Sequence, residues 1–427
     1  MQVAITTVGC KLNQADSDWI RFCLERSGHS VVDGPTADAH IINTCTVTSR
    51  ADHDSRRLAR RARRESPAAL VVVVGCLAET DAEALAAMPE VDWVVAKEDL
   101  PLLCHALSEG QAPVPSGGAA PGPLAPRPTI PSRARPQLIV QDGCDRRCAY
   151  CKVPLARGPQ RSLPVAQVVE QARALAERGA NEIVVVACNL GAYGEDLRPR
   201  RSLADLLSRL LDEPLPRLRL TSVEPDTLTP DLVRIVASAG ERICPHVHIP
   251  VQSGSPDVLR AMGRAPDLER VEEAVADLRQ ARGLVGVGLD LLVGYPTGDE
   301  HEFEATAALV ERLRPSRLHV FSFSPRQGTP AYALGDPVGG LEKKRRVRKL
   351  LELGEPMTAE FLCAHVGERV DVVIDRVDAD GSVQGVTATY ARARVRSTGA
   401  CSGALVTARA ASVEGGVLMC NSEGDGT

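Results

Sequence analysis

Aromatic residues are scarce in this chain of 427 residues, since Phe, Trp and Tyr together make up 3% of it. The hydrophobic cores must therefore be filled by Val, Leu and Ala. No run of about 18 apolar residues occurs, so we expect no membrane span, and the N-terminus lacks a signal-peptide pattern, so we expect a cytoplasmic protein. An excess of positive charge is also missing, because the formal net charge is −5. Contact with nucleic acid would therefore have to come from local patches.

Cysteine, by contrast, is abundant, with 13 residues. In a reducing compartment, cysteines are more often metal ligands or catalytic groups than disulfides. Six of the cysteines fall into two patterns that are discussed below. The other seven have no ligand spacing and are interpreted as structural, namely Cys23, Cys104, Cys188, Cys244, Cys363, Cys401 and Cys420.

The pattern along the chain predicts an α/β protein with three folded parts. Residues 1–109 alternate short apolar runs with helical patterns, which favours an open parallel α/β sheet. Residues 110–136 hold eight prolines and four glycines, which indicates an interdomain linker. We expect strands at Gln2–Val8, Ala39–Thr44, Leu70–Gly75 and Val91–Val95, and helices near 14–27, 50–65 and 80–88.

Residues 137–340 resume the alternation with six strand–helix units, which favours a closed or partial parallel barrel. Residues 341–365 form a basic connecting helix, and residues 366–427, rich in Val, Thr, Ala and Gly, are typical of a small all-β barrel. The strands expected in the central barrel are Gln137–Gln141, Glu182–Val186, Arg217–Thr221, His246–Pro250, Val285–Val293 and Arg317–Phe323. In the last segment we expect strands at Arg369–Ile374, Val383–Val386, Ala391–Val395 and Ala404–Ala408.

The strongest motif is a CxxxCxxC loop formed by Cys144, Cys148 and Cys151, directly after an apolar strand. Three thiolates in one loop can bind three irons of a cubane cluster, which leaves the fourth iron open to the amino and carboxylate groups of a substrate. The alternative is a zinc knuckle, but zinc usually requires a fourth nearby Cys or His.

A second set of thiols consists of Cys10, Cys45 and Cys76, each just after a predicted parallel strand. Because parallel strands end side by side, we expect these thiols to converge at the carboxyl edge of the sheet, where open α/β sheets place their sites. Three converging cysteines indicate a second cluster. The alternative is that all three are buried as small hydrophobic residues.

These motifs resemble the radical S-adenosylmethionine superfamily and, over almost the whole chain, its methylthiotransferase family. The segments that carry the resemblance are VGCKLNQADSD, NTCTVTSRADHDSRRLARRA, GCDRRCAYCKVPLARGPQRS, NLGAYG, SVEP, CPHVHIPVQSG, LDLLVGYP and FSPRQGTPA. The C-terminal β segment resembles the TRAM domain that ends these proteins. Thr46, Val47 and Thr48, after the second cysteine, are similar to the branch that modifies threonylcarbamoyladenosine in tRNA.

The resemblance implies two 4Fe–4S clusters, one held by Cys144, Cys148 and Cys151 and an auxiliary one by the other set. It also implies two molecules of S-adenosylmethionine: one methylates a sulfur on the auxiliary cluster, and the other gives a 5′-deoxyadenosyl radical that removes hydrogen from C2 of adenine. The carbon radical then takes the methylthio group. The implied partners are tRNA, an electron donor and a sulfur source.

Polar residues that follow predicted strands are candidates for binding S-adenosylmethionine or the substrate. His246 and His248 alternate along one strand and share a face, and the others sit where parallel barrels place their ligands. The alternative for the histidines is a polar barrel lining without chemistry. The full candidate set is Asn189, Glu224, His246, His248, Gln252, Ser253 and Arg326.

Two basic runs are candidates for contact with RNA phosphates, although such runs are more often solvated faces. The TRAM-like segment is itself acidic, with six arginines against eight carboxylates, and this keeps open methylthiolation of a ribosomal protein or a peptide. The remaining alternative is a zinc-stabilised RNA-binding protein without catalysis. The basic runs are Arg56, Arg57, Arg60, Arg61, Arg63 and Arg64, and Lys343, Lys344, Arg345, Arg346, Arg348 and Lys349.

Overall fold

The computed structural model describes residues 1–34, 36–113, 124, 134–396 and 399–422. They fold into two compact units. The first takes its residues from 1–130, 141–161 and 326–332, and the second from 131–140, 162–325 and 333–427. Most of the predicted linker 110–136 lies outside the described residues, and the domain boundaries given above stay a prediction.

A five-stranded parallel sheet forms the first unit. Its strands are β1 (Gln2–Thr7), β2 (Ser30–Val31), β3 (Ala39–Thr44), β4 (Leu70–Gly75) and β5 (Trp93–Val94). Their order is β2-β1-β3-β4-β5. All six residues of β3 are buried, which is the pattern of a parallel strand covered by helices on both faces. The predicted open α/β sheet is confirmed.

Helices cover both faces of this sheet. They are α1 (Lys11–Arg26), α2 (Ser49–Glu65), α3 (Cys76–Thr80), α4 (Ala82–Ala86) and α5 (Leu100–Glu109). One core contains Leu24 and Leu103, and the other contains Ala59 and Leu77. The helix predicted near 80–88 is present as the shorter α4. The helix α3 before it was not predicted, and Asp81, with a non-helical backbone (φ −150°, ψ 36°), separates the two.

The central part of the second unit is a half-open parallel barrel. In chain order the elements from the linker onward are β6 (Gln137–Ile139), β7 (Gln141–Asp142), α6 (Val153–Arg157), β8 (Arg161–Ser162), α7 (Val165–Glu177), β9 (Glu182–Val186), α8 (Leu203–Leu211), β10 (Arg217–Leu220), α9 (Pro230–Ser238), β11 (His246–Gln252), α10 (Pro256–Ala261), α11 (Leu268–Arg282), β12 (Gly286–Val293), α12 (Glu300–Leu313) and β13 (Arg317–Ser322). Of these, β7 and α6 belong to the first unit. Two three-stranded sheets, β10-β9-β6 and β11-β12-β13, meet through isolated parallel bridges such as Ser222 with His248. The predicted partial barrel is confirmed.

The C-terminal part of the second unit is a closed β-barrel with the order β14-β15-β16-β18-β17. It follows helix α13 (Gly340–Cys363), and its strands are β14 (Arg369–Val377), β15 (Val383–Thr387), β16 (Arg392–Val395), β17 (Leu405–Glu414) and β18 (Val417–Ser422). The predicted small all-β barrel is confirmed, although β18 was not expected.

Hydrogen bonds from a buried, ion-paired arginine join this terminal barrel to the central one. Arg219 is fully buried and donates to Glu182 (3.0 Å), and the same guanidinium donates to the backbone oxygens of Thr387 (2.9 Å) and Ala388 (3.1 Å) of the terminal barrel. Tyr390 stacks against Arg219, with 4.8 Å between the guanidinium carbon and the ring centroid. Among the described helices, none has both the length and the apolar character that a membrane span needs.

Candidate functional site: two sets of thiols and a polar barrel face

The first set of thiols lies at the carboxyl ends of β1, β3 and β4. The sulfur atoms of Cys10 and Cys76 both lie near the same oxygen, Asn13 Oδ1, at 4.0 and 3.6 Å. Cys45 is close enough to both for their charges to affect its titration. All three are free thiols. The structure therefore brings Cys10, Cys45 and Cys76 together, as the strand ends predicted.

Local backbone geometry determines the position of Cys76. Helix α3 begins at Cys76, immediately after Gly75, whose φ of +91° lies in the region that only glycine adopts easily. A Cβ on Gly75 would lie 2.3 Å from Asn43 Oδ1, so the close approach also excludes a side chain. Burial raises the pKa of Cys45 to about 12 and also raises that of Cys76. Both are therefore neutral thiols until a metal displaces their protons.

Asn13 holds the two loops that carry Cys10 and Cys45. Its Nδ2 donates to the backbone oxygens of Val8 (2.9 Å) and Thr44 (2.7 Å), which shortly precede Cys10 and Cys45 in the chain. Its Oδ1 accepts from Arg157 at 2.6 Å. Asn13 is fully buried, so each of these bonds forms away from water, where an unmade bond would cost about 1–3 kcal/mol.

The second set of thiols lies on the loop after β7. Gly143 opens the loop with φ +73°, and a Cβ there would lie 1.9 Å from the backbone oxygen of Pro159. Two backbone bonds shape the loop: Cys144 N–H donates to Gly158 (3.1 Å), and Cys151 N–H donates to Cys148 (3.0 Å). All three cysteines of the motif are free thiols.

Arg157, at the end of α6, is the centre of a buried ionic network. Its guanidinium donates to Asp142 Oδ1 (2.9 Å) and Asp16 Oδ2 (2.8 Å), besides Asn13. Lys97 lies 3.3 Å from Asp142 and 3.8 Å from Asp16. Arg157, which follows the CxxxCxxC motif, thus contacts Asn13, which holds the loops of the strand-end thiols. Both sets of thiols belong to the first compact unit.

Both sets of thiols suit an iron–sulfur cluster in the chemistry of their donors. Each offers three cysteine sulfurs, the soft ligands that such clusters select. Each also leaves one iron without a protein ligand. The positive charges of Arg157 and Lys97 partly offset the burial that raises the pKa of Cys76.

Arg326, a predicted ligand-binding residue, is engaged with the loop that follows Cys45. Its Nη2 donates to Asp52 Oδ2 (2.6 Å), to Thr46 Oγ1 (2.8 Å) and to the Thr46 backbone oxygen (2.9 Å). Thr48 caps α2 by accepting from Ala51 N–H at 3.1 Å. Thr46 and Thr48, two of the three residues that are similar to the threonylcarbamoyladenosine branch, therefore make structural contacts. A ligand-binding role for Arg326 stays a prediction.

Four other candidates lie after strands of the central barrel, as expected. Glu224 forms an ion pair with Arg264. Gln252 ends β11 with φ +72°, an uncommon conformation for a residue with a side chain. Ser253 accepts from the Ser255 N–H at 3.1 Å and shapes the following turn. The fourth candidate, Asn189, is buried directly after β9. Ligand binding by these residues stays a prediction.

His246 and His248 share one face of β11, as predicted, but have different surroundings. The ring of His246 packs on Tyr390 of the terminal barrel, with 4.7 Å between centroids. His248 belongs to a polar cluster with Asp290 and His319. Burial by itself would raise the pKa of Asp290, but its contacts with the two imidazoles outweigh burial and hold the pKa at about 2.

Asp290 and His319 were missed by the sequence analysis. They lie in LDLLVGYP and LHVFSF, where alternation along β12 and β13 could have assigned both to the inner face.

The two basic runs are mostly paired with acidic groups: Arg56 with Asp81, Arg63 with Asp92, Lys343 with Asp336 and Arg346 with Glu342. Such pairing reduces the charge that these runs offer to RNA.

Comparison with known protein families shows the class of protein to which this chain belongs. Residues 138–310 match the model of the radical SAM superfamily, and residues 2–96 match an uncharacterized protein family, UPF0004. A solved structure, the radical S-adenosylmethionine methyltransferase TsrM from Kitasatospora setae, superposes with a TM-score of 0.57 at 18% identity, covering 77% of this chain and 76% of that one. The class is therefore a radical S-adenosylmethionine enzyme, which uses a 4Fe–4S cluster and S-adenosylmethionine.

Curated relatives define the family within this class. The threonylcarbamoyladenosine tRNA methylthiotransferase MtaB of Bacillus subtilis is 33% identical over 87% of this chain and 84% of its own length. The ribosomal protein uS12 methylthiotransferase RimO of Desulforudis audaxviator is 32% identical over 88% of this chain and 85% of its own. The chain belongs to the radical S-adenosylmethionine methylthiotransferase family.

Proposed function

We propose that this enzyme converts N6-threonylcarbamoyladenosine, near the anticodon of tRNA, into its 2-methylthio derivative. The observation that supports this choice of substrate is the NTCTVT loop. In the structure, Thr46 of this loop is bound by Arg326, and Thr48 caps α2. Several relatives named for this reaction, at 31–34% identity, support the same choice. A cytoplasmic location and tRNA as partner follow from this proposal.

Two 4Fe–4S clusters are part of the proposal. Cys144, Cys148 and Cys151 hold the first, and the strand-end thiols Cys10, Cys45 and Cys76 hold the auxiliary one. When bound, the first cluster supplies the electron that cleaves S-adenosylmethionine to methionine and a 5′-deoxyadenosyl radical. An external electron donor and a sulfur source complete the reaction.

The protein's own part in this chemistry is to hold and shield the reacting groups. Cys45 and Cys76 are buried, so water and dioxygen have little access to them. Asn13 and Arg157 hold the loops that carry the thiols. The polar residues on the inner face of the central barrel, His248 among them, are proposed to contact the bound substrate or S-adenosylmethionine.

Nucleoside mass spectrometry of total tRNA tests the substrate directly. A strain that lacks the enzyme should lose 2-methylthio-N6-threonylcarbamoyladenosine and gain the unthiolated nucleoside, and the complemented strain should reverse both changes. Unchanged tRNA would refute the tRNA proposal and redirect the search to a ribosomal protein or a peptide.

Two cysteine variants test the two cluster assignments separately. Cys148→Ala should abolish cleavage of S-adenosylmethionine to 5′-deoxyadenosine. Cys45→Ala should keep that cleavage but stop the formation of methylthio product. Cys401→Ala, at an exposed cysteine without ligand spacing, is the control that should change neither.

Metal analysis tests the stoichiometry. Anaerobically purified enzyme should contain about eight iron and about eight acid-labile sulfide per chain if two cubanes are present. Each cysteine variant should lose roughly half of both. Methylthio product from Cys45→Ala, or zinc without sulfide in the native enzyme, would contradict the assignment.

A further inference from the structure

A second cluster of metal-binding side chains lies outside both sets of thiols. His248, Asp290 and His319 come from β11, β12 and β13, which are neighbours in one sheet. One ligand atom from each of the three lies within 4.8 Å of the others. Their side chains are 17%, 20% and 38% exposed, so the cluster is partly buried and still accessible from the inner face.

The distances in this cluster match neighbouring ligands of one metal ion. His248 Nε2 and His319 Nδ1 each lie 3.1 Å from the same oxygen, Asp290 Oδ1. Transition metals bind such atoms at about 2.0–2.2 Å, so two adjacent ligands of one ion lie roughly 3.0–3.5 Å apart. The observed separations fall in this range.

The state of His248 favours a metal over a simple chain of hydrogen bonds. Its Nε2 is buried and has no hydrogen-bond partner within the described ranges, although it lies close to Asp290. Its Nδ1 lies 2.7 Å from Ser222 Oγ. When Nδ1 donates its proton to Ser222, Nε2 presents a lone pair toward the cluster, which is the arrangement of a metal-bound histidine with its supporting hydrogen bond.

The backbone makes room for this arrangement. His248 pairs with Gly288 in the register of β11 and β12, and Asp290 pairs with His319 in the register of β12 and β13. A Cβ on Gly288 would lie 2.6 Å from His248 Cδ2. The missing side chain at Gly288 therefore lets the imidazole lie over β12, where it reaches Asp290.

We propose that His248, Asp290 and His319 bind one divalent transition-metal ion of the Zn²⁺ or Fe²⁺ class. Two imidazole nitrogens and one carboxylate oxygen suit such ions, whereas iron–sulfur clusters are held by thiolates. Three protein ligands leave positions open toward the inner face for water or an oxygen of a bound substrate. The argument for this metal site does not depend on tRNA being the substrate.

Zinc binding to the cluster-loaded enzyme tests the proposal. Anaerobic equilibrium dialysis against buffered Zn²⁺, with zinc and iron measured on the same sample, gives stoichiometry and affinity. We expect one Zn²⁺ per chain with unchanged iron, and X-ray absorption at the zinc edge should show nitrogen and oxygen neighbours without sulfur. No retained zinc, or zinc bound to sulfur, would overturn the proposal.

Variants connect the zinc to these residues. Asp290→Asn and His319→Gln should each weaken Zn²⁺ binding by about 100-fold or more, and Ser222→Ala, which keeps all three ligands, by about 10-fold. His105→Gln, at an exposed histidine paired with Glu109, should leave the affinity unchanged. Iron content and circular dichroism report folding, and Ser222→Ala decides the outcome if a ligand variant does not fold. Unchanged affinity in the folded variants would refute the site.

Discussion

Replacement of Arg157 by methionine should destabilise the first compact unit more than any change at its surface. The guanidinium makes three short hydrogen bonds, to Asn13 (2.6 Å), Asp16 (2.8 Å) and Asp142 (2.9 Å). Both carboxylates are almost completely buried. Breaking a buried ion pair by removing one partner typically costs about 3–5 kcal/mol, because the remaining charge is left without compensation.

The surroundings place the expected loss at the lower end of that range. Lys97, at 3.3 Å from Asp142 and 3.8 Å from Asp16, remains to compensate the two carboxylates. We therefore expect the free energy of unfolding to fall by about 3 kcal/mol in Arg157→Met. Urea unfolding under anaerobic conditions, followed by far-UV circular dichroism, measures the change. Iron content of the same samples separates lost stability from lost cluster.

Arg161→Met is the matched control. Arg161 lies 3.7 Å from Asp142, farther away than Arg157, and its side chain is 22% exposed. Its loss should cost less than about 1 kcal/mol. In an Asp142→Asn background, Arg157→Met should cost at least about 1 kcal/mol less than in the native enzyme, because the two residues interact directly. Equal costs for Arg157→Met and Arg161→Met would refute the argument.

Two further predictions concern a loop and an ion pair. Gly143→Ala should disrupt the CxxxCxxC loop and lower the iron content of the enzyme, because the new Cβ would meet the Pro159 oxygen. The control is Gly179→Ala, at a similar positive φ (+82°), where a Cβ would have no atom within 4 Å. It separates the effect of this clash from that of backbone strain alone. Burial opposes ionisation of Glu182, but Arg219 outweighs it and holds the pKa of Glu182 below its ordinary value of 4.5. The stabilisation from this pair is therefore present above about pH 4.5 and is lost as the pH falls through the lowered pKa. Glu182→Gln should flatten the acid limb of the stability–pH profile; an unchanged limb would contradict the assignment.

Apolar segments allowed several strands to be predicted to the residue. Ala39–Thr44, Leu70–Gly75 and Glu182–Val186 have the same bounds in the sequence analysis and in the structure. Each is a buried strand of a parallel sheet, and apolar residues make up much of its length. The convergence of Cys10, Cys45 and Cys76 followed from the same rule.

Elements with weaker local patterns were missed. Helix α5, Leu100–Glu109, begins with a proline at its second position and precedes the linker, so it was not recognised as an element of its own. Strand β18, Val417–Ser422, ends in Cys, Asn and Ser, which have a low preference for strands. Its pairing with β16 and β17 supplies the stability that its composition does not.

The polar cluster on the inner face was missed for a different reason. Asp290 and His319 are 29 residues apart and meet only through the register of β12 and β13. The ionic network of Arg157 with Asp16 joins residues that are 141 positions apart. Contacts of this kind depend on tertiary structure, and no pattern within a single segment reports them.

The buried pair of Arg219 and Glu182 has a mechanical consequence for the terminal barrel. Because Arg219 also binds the backbone at Thr387 and Ala388, the terminal barrel cannot swing away without breaking these hydrogen bonds and exposing the buried ion pair to water. The terminal barrel is thus held at a constant offset from the inner face of the central barrel. A molecule that bound both barrels at once would therefore have to match this fixed spacing.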